Sequence, residues 1–384
     1  MGRETKKVGI ITLHGYHNYG NKLQNFALQE VLNGLGFTTD TLVLNNKETV
    51  FNIVKSKIRT ILRQSPSKFI NLVIERMKHK ICNKENQELV RARNDVFKQF
   101  SKEHLSEIFF ELDRNSTAKI NGAYNYFVTG SDQVWKPGSE SNMEKYFLTF
   151  AQKNKRIAYA ASFGCSKLPE SYKAKYREWL NGMFRISVRE VEGTEIIREL
   201  TDINAPVLVD PTLLLSKKQW LSFANKASNR PEEGYVLTYF LGEISADTEQ
   251  YIQNFAQEKN MKIIRLGDIH DKESFVTGPR EFIDYINNAD VLFTDSFHGV
   301  VFSILLERPF VVYERKSSGA TMYSRIETLL DRFDLRHREA RNLSGDIFTV
   351  NYSHVYEILE VERDRSVRYL REALGVGDEK THES

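Results

Sequence analysis

The residues best suited to chemistry lie in one short segment around His298. The apolar run Val291 to Phe293 is typical of a buried strand, and it stops at Thr294-Asp295-Ser296. Apolar residues with helical spacing follow His298, so the pattern predicts a strand, a tight turn and a helix that begins at or near this histidine. The free N–H groups and the dipole of a helix N-terminus attract anions. The segment therefore predicts a phosphate or carboxylate site that contains an imidazole.

A histidine at the start of a helix also has a simpler explanation. Such residues often cap the helix or are partly buried polar groups without a ligand. The segment alone favours neither role for His298, and the polar loops elsewhere in the chain have to decide.

Strand and helix patterns alternate in two series around this segment. The first series has strand-like runs at 7–13, 39–44, 126–129, 156–160, 186–188 and 207–209 and a helix at 21–35. The second series has strand-like runs at 235–240, 262–266, 291–293 and 310–313. Its helices are expected near 246–259, 280–288, from 298, 323–332 and 355–374. This alternation predicts two doubly wound α/β domains, 1–215 and 216–384. Polar loops at the strand ends of both domains should meet in a cleft between them.

The composition limits the class of protein. The 384 residues are 41% hydrophobic and 27% charged, which suits two globular domains, and the net charge of +3 does not indicate nucleic-acid binding. Cys82 and Cys165 are far apart, which argues against a disulfide framework or a zinc site and fits a reducing compartment. We expect a cytoplasmic protein, because there is no signal-peptide pattern and no apolar run of membrane-spanning length.

A basic segment interrupts the first series. Residues 51–84 hold nine Lys or Arg and one Glu among apolar residues, which predicts a helical insert at about 46–110 with a basic face. A solvated lid packed on the domain is the favoured interpretation. Peripheral binding to an anionic membrane is the alternative, and nucleic-acid binding is a weaker third choice because no basic-aromatic platform accompanies the segment.

Six short motifs with polar or glycine residues follow one another along the chain: Tyr16-His-Asn-Tyr-Gly-Asn-Lys-Leu-Gln24, Thr129-Gly-Ser-Asp-Gln-Val-Trp135, Tyr159-Ala-Ala-Ser-Phe-Gly164, Ser187-Val-Arg-Glu190, Asp210-Pro-Thr-Leu-Leu214 and Asp295-Ser-Phe-His-Gly299. They occur in the order found in polysaccharide pyruvyl transferases, and the chain resembles that family from about residue 8 to 335. The resemblance implies a GT-B-like fold, with two Rossmann-like domains and the active site between them. It also implies transfer of the enolpyruvyl unit of phosphoenolpyruvate to a sugar of a cell-envelope glycan or its lipid-linked precursor, with formation of a cyclic ketal and release of phosphate.

The same resemblance implies roles for the cationic residues. Arg189 matches the arginine of the Ser-Val-Arg motif and is expected to hold the donor carboxylate, with a surface ion pair to Glu190 or Glu192 as the alternative. His298 matches the motif histidine and is expected to lie near the phosphate and to protonate the methylene carbon.

One position departs from the family pattern. Some branches have Arg-Leu-His where this chain has Ser296-Phe297-His298, so one cationic role is open. Arg315 or Lys316 could fill it, and Lys316 matches a lysine of bacterial members. A surface lysine in a loop is the alternative for Lys316.

Other motif residues are expected to contact the acceptor or to support the site. Asp132 is expected to take a proton from the attacking hydroxyl, unless it caps a helix, and Asn18 is expected to orient the acceptor. Trp135 is expected either to stack on a sugar or to lie in the core. The expected substrate-binding set also includes Ser131 and Ser296. Gln24 is interpreted as structural, and Asp210 and Thr212 as organisers of the interdomain turn.

No metal or other cofactor is expected, since no His, Cys and carboxylate cluster has metal-ligand spacing. The expected partners are phosphoenolpyruvate and a glycan or lipid-linked acceptor, and a homo-oligomer is compatible with the sequence. The competing functions are a GT-B glycosyltransferase that uses a nucleotide sugar and a catalytically silent protein that binds sugars or anions.

Overall fold

The computed structural model describes residues 5–15, 18–44, 84–138, 142–315 and 323–377. The predictions for residues 51–83 of the basic insert and for Lys316 lie outside the described residues. Within the described part, no helix combines the length and the apolar character needed to cross a membrane.

The first domain is built on a six-stranded parallel sheet. Its strands are β1 (Lys7–Ile11), β2 (Thr38–Leu44), β3 (Glu107–Phe110), β4 (Tyr126–Thr129), β5 (Arg156–Ala161) and β6 (Arg185–Val188). The spatial order is β3-β2-β1-β4-β5-β6, and every neighbouring pair is parallel. This is the strand order of a Rossmann-like doubly wound sheet.

The second domain contains a four-stranded parallel sheet. Its strands are β7 (Tyr235–Tyr239), β8 (Lys262–Arg265), β9 (Val291–Thr294) and β10 (Phe310–Val312). They lie in the order β10-β9-β7-β8, again with parallel pairing throughout. The residues of β7 and β9 are all buried, as expected for central strands covered on both faces.

Helices cover the faces of both sheets. They are α1 (Tyr19–Gly34), α2 (Lys84–His104), α3 (Arg114–Ala123), α4 (Glu170–Leu180), α5 (Val191–Leu200), α6 (Lys217–Phe223), α7 (Ala246–Glu258), α8 (Lys272–Phe275), α9 (Pro279–Asn288), α10 (Phe297–Leu306), α11 (Ser324–Arg332) and α12 (Val355–Ala373). Short 3-10 turns occur at Met143–Phe147, Lys153–Lys155, Pro211–Leu214 and Arg336–Arg338.

The predicted strands and helices are confirmed with two corrections. The insert was predicted to be helical to residue 110, but Glu107–Phe110 is an edge strand that pairs with β2. The run 207–209 was predicted to be a strand, but it makes only an isolated bridge, between Val207 and Val188. Both corrections concern short apolar runs, whose pairing depends on tertiary neighbours that periodicity does not reveal.

Three helices connect the domains. Tyr19 and Phe97, in α1 and α2, join the core of the second domain, where Tyr19 stacks on Phe282 with ring centroids 4.4 Å apart. At the other end of the chain, Leu370 of α12 belongs to the core cluster of the first sheet, and Tyr369 donates a hydrogen bond to the Ala158 carbonyl. The last turns of α12 therefore pack on the first domain, although the sequence division placed them in the second.

Candidate active site

The candidate site lies where the two sheets face each other. The order of connections reverses between β1 and β4 in the first sheet and between β7 and β9 in the second. Open α/β sheets bind ligands at such points, outside the carboxyl ends of the strands. Gly20, at the start of α1, is in direct contact with His298, which follows β9. The two reversal points therefore meet at this histidine.

His298 is the second residue of α10, and its side chain is only 6% exposed. Ser296 caps this helix by accepting a hydrogen bond of 3.3 Å from the Gly299 N–H, so the capping alternative for His298 is wrong. The His298 Nε2 atom lies 3.6 Å from Asp210 Oδ2 and has no hydrogen-bond partner among the described residues. A buried imidazole nitrogen without a partner is uncommon and marks a place where a ligand could bind.

The other ring nitrogen packs against backbone. A β-carbon on Gly20 would lie 2.0 Å from His298 Nδ1, so only glycine leaves room for the imidazole there. The first domain thus fixes the position of a side chain that belongs to the second domain.

Asp210 joins the surrounding residues into one network. Its Oδ2 accepts hydrogen bonds from Arg189 Nη1 at 2.6 Å and from Ser131 Oγ at 2.9 Å. Its Oδ1 accepts from the N–H and the hydroxyl of Thr212 at 3.0 and 2.7 Å. Burial raises the pKa of this carboxyl, but the charges of His298 and Arg189 outweigh burial and hold its pKa well below the usual range. Asp210 is therefore a fixed anion.

Arg189 is buried, with a side chain that is 2% exposed. Its guanidinium donates to Asp210 and, at 3.3 Å, to Asp132 Oδ1. Burial lowers the pKa of the guanidinium, but these two carboxylates raise it above the usual value, so Arg189 stays charged. The alternative of a surface ion pair with Glu190 or Glu192 is wrong, because the arginine points into the cleft and pairs with Asp210 and Asp132.

Asp132 lies between two arginines. Its Oδ1 is 3.3 Å from Arg189 Nη2 and 3.7 Å from Arg325 Nη1. Burial raises the pKa of the Asp132 carboxyl, but the nearby charges of Arg189, His298 and Arg325 lower it overall, which makes this carboxylate a weak base. The residues that follow, 133–138, form turns, so Asp132 does not cap a helix. Its predicted role as proton acceptor is not favoured by this environment.

Arg325 was not expected from the sequence. It is the second residue of α11, and its side chain is 8% exposed. Besides Asp132, it donates to the Gln133 amide oxygen when that amide is oriented to satisfy both of its polar atoms. Burial and the neighbouring Arg189 lower the pKa of Arg325 to about 10. Among the described residues, the ion pair of this buried guanidinium with a carboxylate is the long one to Asp132, so the guanidinium is suited to receive another anion.

Two further cations border this region. Arg315 Nε donates to Asp295 Oδ2 at 2.9 Å, and Asp295 also accepts from the backbone N–H groups of Leu241 and Gly242. Arg315 is thus held by the turn that carries the histidine. Burial lowers the pKa of Lys136, and the charges of Arg325 and Arg315 lower it further.

The remaining predicted residues have mainly structural contacts. Trp135 is fully buried, stacks on Phe147 with centroids 5.0 Å apart and donates to the Tyr146 carbonyl, so it lies in the core and offers no face to a sugar. Asn18 caps α1 by accepting from the Asn21 N–H. Ser131 donates to Asp210, and Ser296 caps α10, so neither hydroxyl is oriented toward a ligand in this structure.

Sequence reasoning missed two residues that organise the site. Asp210 was assigned to an interdomain turn, although its position directly after the apolar run 207–209 could have indicated a carboxylate at a strand end, close to Arg189. Arg325 gave no signal, because an arginine in the first turn of an amphipathic helix is ordinarily solvated. Only the packing of α11 against Phe297, whose ring centroid is 5.8 Å from the guanidinium, brings Arg325 inward.

One family model matches most of this chain. The family model described as polysaccharide pyruvyl transferase matches residues 18–317, which include every residue of the candidate site described above except Arg325. No curated protein matches the sequence significantly.

Solved structures with a similar fold are glycosyltransferases and epimerases. A UDP-GlcNAc 2-epimerase from Neisseria meningitidis is 9% identical, with 96% of this chain and 100% of that chain covered and a TM-score of 0.39. The ADP-heptose lipopolysaccharide heptosyltransferase II of E. coli is 11% identical, with 96% of this chain and 98% of that chain covered and a TM-score of 0.37. An alpha-glucosyltransferase in complex with UDP and DNA is 8% identical, with 97% of this chain and 95% of that chain covered and a TM-score of 0.42. At these identities and TM-scores the likeness says nothing about the activity of this chain.

Proposed function

This chain belongs to the polysaccharide pyruvyl transferase family, and we propose that it transfers the enolpyruvyl unit of phosphoenolpyruvate to a sugar of a cell-surface polysaccharide or its lipid-linked precursor. The products would be a cyclic pyruvate ketal and inorganic phosphate. No metal ion or organic cofactor takes part in this proposal.

One observation carries the proposal. Arg189 from the first domain and Arg325 from the second lie on either side of Asp132, next to a buried imidazole without a hydrogen-bond partner. Phosphoenolpyruvate carries a carboxylate and a phosphate, so its binding needs several cations and N–H donors. The donors at the N-terminus of α10, beside His298, suit the phosphate.

The proposed chemistry begins with a proton on the imidazole. His298 gives this proton to the methylene carbon C3, which makes C2 an oxocarbenium-like centre that one sugar hydroxyl attacks as it loses its proton. The bond between C2 and the phosphate oxygen then breaks, and inorganic phosphate leaves. The second hydroxyl attacks C2 and loses its proton, which closes the ketal. One hydroxyl proton restores the imidazole and the other leaves with the phosphate.

Ligand-induced stabilisation tests the donor class. Phosphoenolpyruvate should raise the melting temperature, because a ligand at 100 times its dissociation constant stabilises the folded state by about 2.7 kcal/mol. UDP-sugars and GDP-sugars should leave it unchanged. The reverse result would favour the glycosyltransferase alternative, and the same measurement after EDTA treatment checks that no divalent ion is needed.

Arg189→Lys should weaken use of the donor although the charge is kept. A lysine cannot reproduce the planar fork that reaches Asp210 and Asp132 at once, so both the site geometry and carboxylate binding suffer. We expect kcat/KM for the donor to fall by the equivalent of about 2–4 kcal/mol. Arg185→Lys, at an exposed position of the same strand, is the matched control. Equal kinetics for the two variants would remove Arg189 from the site.

Gly20→Ala should lower turnover without unfolding the protein. The added methyl group would occupy the place of His298 Nδ1 and push the imidazole away from its position. Misplacing a catalytic group by about 1 Å can cost on the order of 10²-fold in rate. Gly34→Ala, near the end of the same helix with nothing within 4 Å, is the control. Full turnover in Gly20→Ala would show that the position of the imidazole does not matter.

A further inference from the structure

Arg189, Asp132 and Arg325 form an ion triad across the domain interface. A single oxygen of the carboxylate, Asp132 Oδ1, faces both guanidiniums, at 3.3 and 3.7 Å. Arg189 has a shorter bond of 2.6 Å to Asp210, whereas Arg325 pairs with Asp132 at the longer distance of 3.7 Å. Of the two carboxylates that face Arg189, Asp132 therefore has the longer ion pairs.

We propose that Asp132 occupies, in the unliganded protein, the position that the carboxylate of the donor takes on binding, so that the Asp132 side chain competes with the substrate for Arg189 and Arg325. This inference rests on the proposed function, because it takes phosphoenolpyruvate as the donor. It assigns to Arg325 a direct contact with the donor, and to Asp132 control of donor affinity.

Hydrogen bonds fix the backbone of Asp132, whereas its side chain can rotate away and be replaced by the carboxylate of the donor. Its carbonyl oxygen accepts from the N–H groups of Val134 and Ser162 at 2.8 and 3.0 Å, which holds the loop in place. The neighbouring Ser131 N–H donates to Gln24 Oε1 at 3.0 Å. Asp132 Oδ1 also accepts a hydrogen bond of 2.8 Å from the Gln133 N–H. Rotation of the Asp132 side chain would break this bond and would release Arg325 and the Nη2 atom of Arg189 without moving the loop, while Arg189 Nη1 keeps its bond to Asp210.

A carboxylate is the group that suits this position. Two guanidiniums that already hold a carboxylate oxygen between them offer planar N–H pairs, which match the shape of a carboxylate. Arg315 is held by Asp295, so Arg325 is the described arginine of the second domain that is directed at Asp132. The phosphate of the donor is left to His298 and the N-terminus of α10.

The test compares the binding of two probes by isothermal titration calorimetry. Asp132→Asn removes the competing charge, and asparagine tolerates the left-handed φ of 72° at this position, so the variant should fold. We expect its dissociation constant for phosphoenolpyruvate to fall on the order of tenfold. This is the change expected if the Asp132 side chain leaves the site accessible in about one-tenth of the wild-type molecules and asparagine leaves it accessible in all of them. The dissociation constant for inorganic phosphate should change much less.

Arg325→Gln provides the second arm. Its dissociation constant for phosphoenolpyruvate should rise about 10- to 100-fold, as expected for the loss of one charge-assisted hydrogen bond. The gain from Asp132→Asn should disappear in the double variant, because both changes act on one interaction. Arg365→Gln, an exposed arginine of α12, controls for the loss of a positive charge.

The outcomes separate this inference from the function on which it rests. Unchanged or weaker donor binding by Asp132→Asn overturns the inference, as does an equal gain for phosphate, which would reflect net charge alone. A 10²- to 10⁴-fold loss of turnover with unchanged binding would make Asp132 a general base and also overturn it. If the wild-type protein neither binds phosphoenolpyruvate nor forms product from it, the proposed function itself fails.

Discussion

His298→Ala should lower the turnover number by about 10²- to 10⁴-fold, the usual range for removal of a general acid. The imidazole is buried beside Gly20 and Asp210, and its Nε2 has no hydrogen-bond partner among the described residues. Removal of the imidazole therefore leaves no hydrogen-bond partner of Nε2 without its bond, and Asp210 keeps its short bond to Arg189. We expect little change in the melting temperature. Steady-state kinetics with saturating donor and acceptor measure the effect.

His337→Ala is the matched control for this variant, because His337 is exposed and lies in a 3-10 turn that contributes no residue to the site. It should keep full turnover. If His298→Ala instead melts far below the wild-type protein and retains its specific activity, His298 is a structural residue and the proposed chemistry lacks its proton donor.

Asp210→Asn should lower the free energy of unfolding by about 3–5 kcal/mol at neutral pH, the range for breaking a buried ion pair by removing one partner. The amide would present N–H donors to Arg189, Ser131 or Thr212, all of which donate to the carboxylate in the native protein. The buried guanidinium would then lack its closest counter-charge. Urea denaturation followed by circular dichroism measures the loss, and Asp202→Asn, at an exposed position, is the control.

The pH dependence of this difference has a defined sign. The folded protein holds the pKa of Asp210 below the ordinary value of 3.8, so the carboxylate contributes its full stability above pH 3.8. That contribution is lost as the pH falls below 3.8 toward the lower folded pKa. The difference between wild type and Asp210→Asn should therefore be constant near neutral pH and shrink in acid. A difference that grows as the pH falls would contradict the assignment of Asp210 as a buried anion.

Local patterns predicted most of the fold. The buried strands β7 and β9 are continuous apolar runs, and α10 follows a clear stop signal at Ser296, so their types and positions can be read from one sequence. The edge strand Glu107–Phe110 could not, because four residues carry no periodicity and Phe109 is 58% exposed. The return of α12 to the first sheet also depends on contacts between residues more than 200 positions apart, such as Tyr369 and Ala158.

Local patterns also predicted part of the arrangement at the candidate site. His298 and Arg189 lie at strand ends, and parallel strands bring such ends together. The sequence does not reveal that Asp210 accepts from Arg189 and Ser131, since this depends on side-chain geometry across three loops. It also does not reveal that Arg325 points inward. Trp135 was included in the expected substrate-binding set, but this aromatic residue of a motif loop belongs entirely to the core.

Transfer of labelled donor to a sugar tests the proposed reaction most directly. The protein is incubated in D₂O with phosphoenolpyruvate carrying ¹³C at the methylene carbon and with a synthetic sugar glycoside that presents two free neighbouring hydroxyls. We expect a ketal whose labelled carbon is a methyl group with a single deuterium, formed together with an equal amount of inorganic phosphate and unaffected by EDTA. His298→Ala should form almost none. A sugar product that keeps the labelled methylene, or transfer from a nucleotide sugar with phosphoenolpyruvate left intact, would contradict the proposed function.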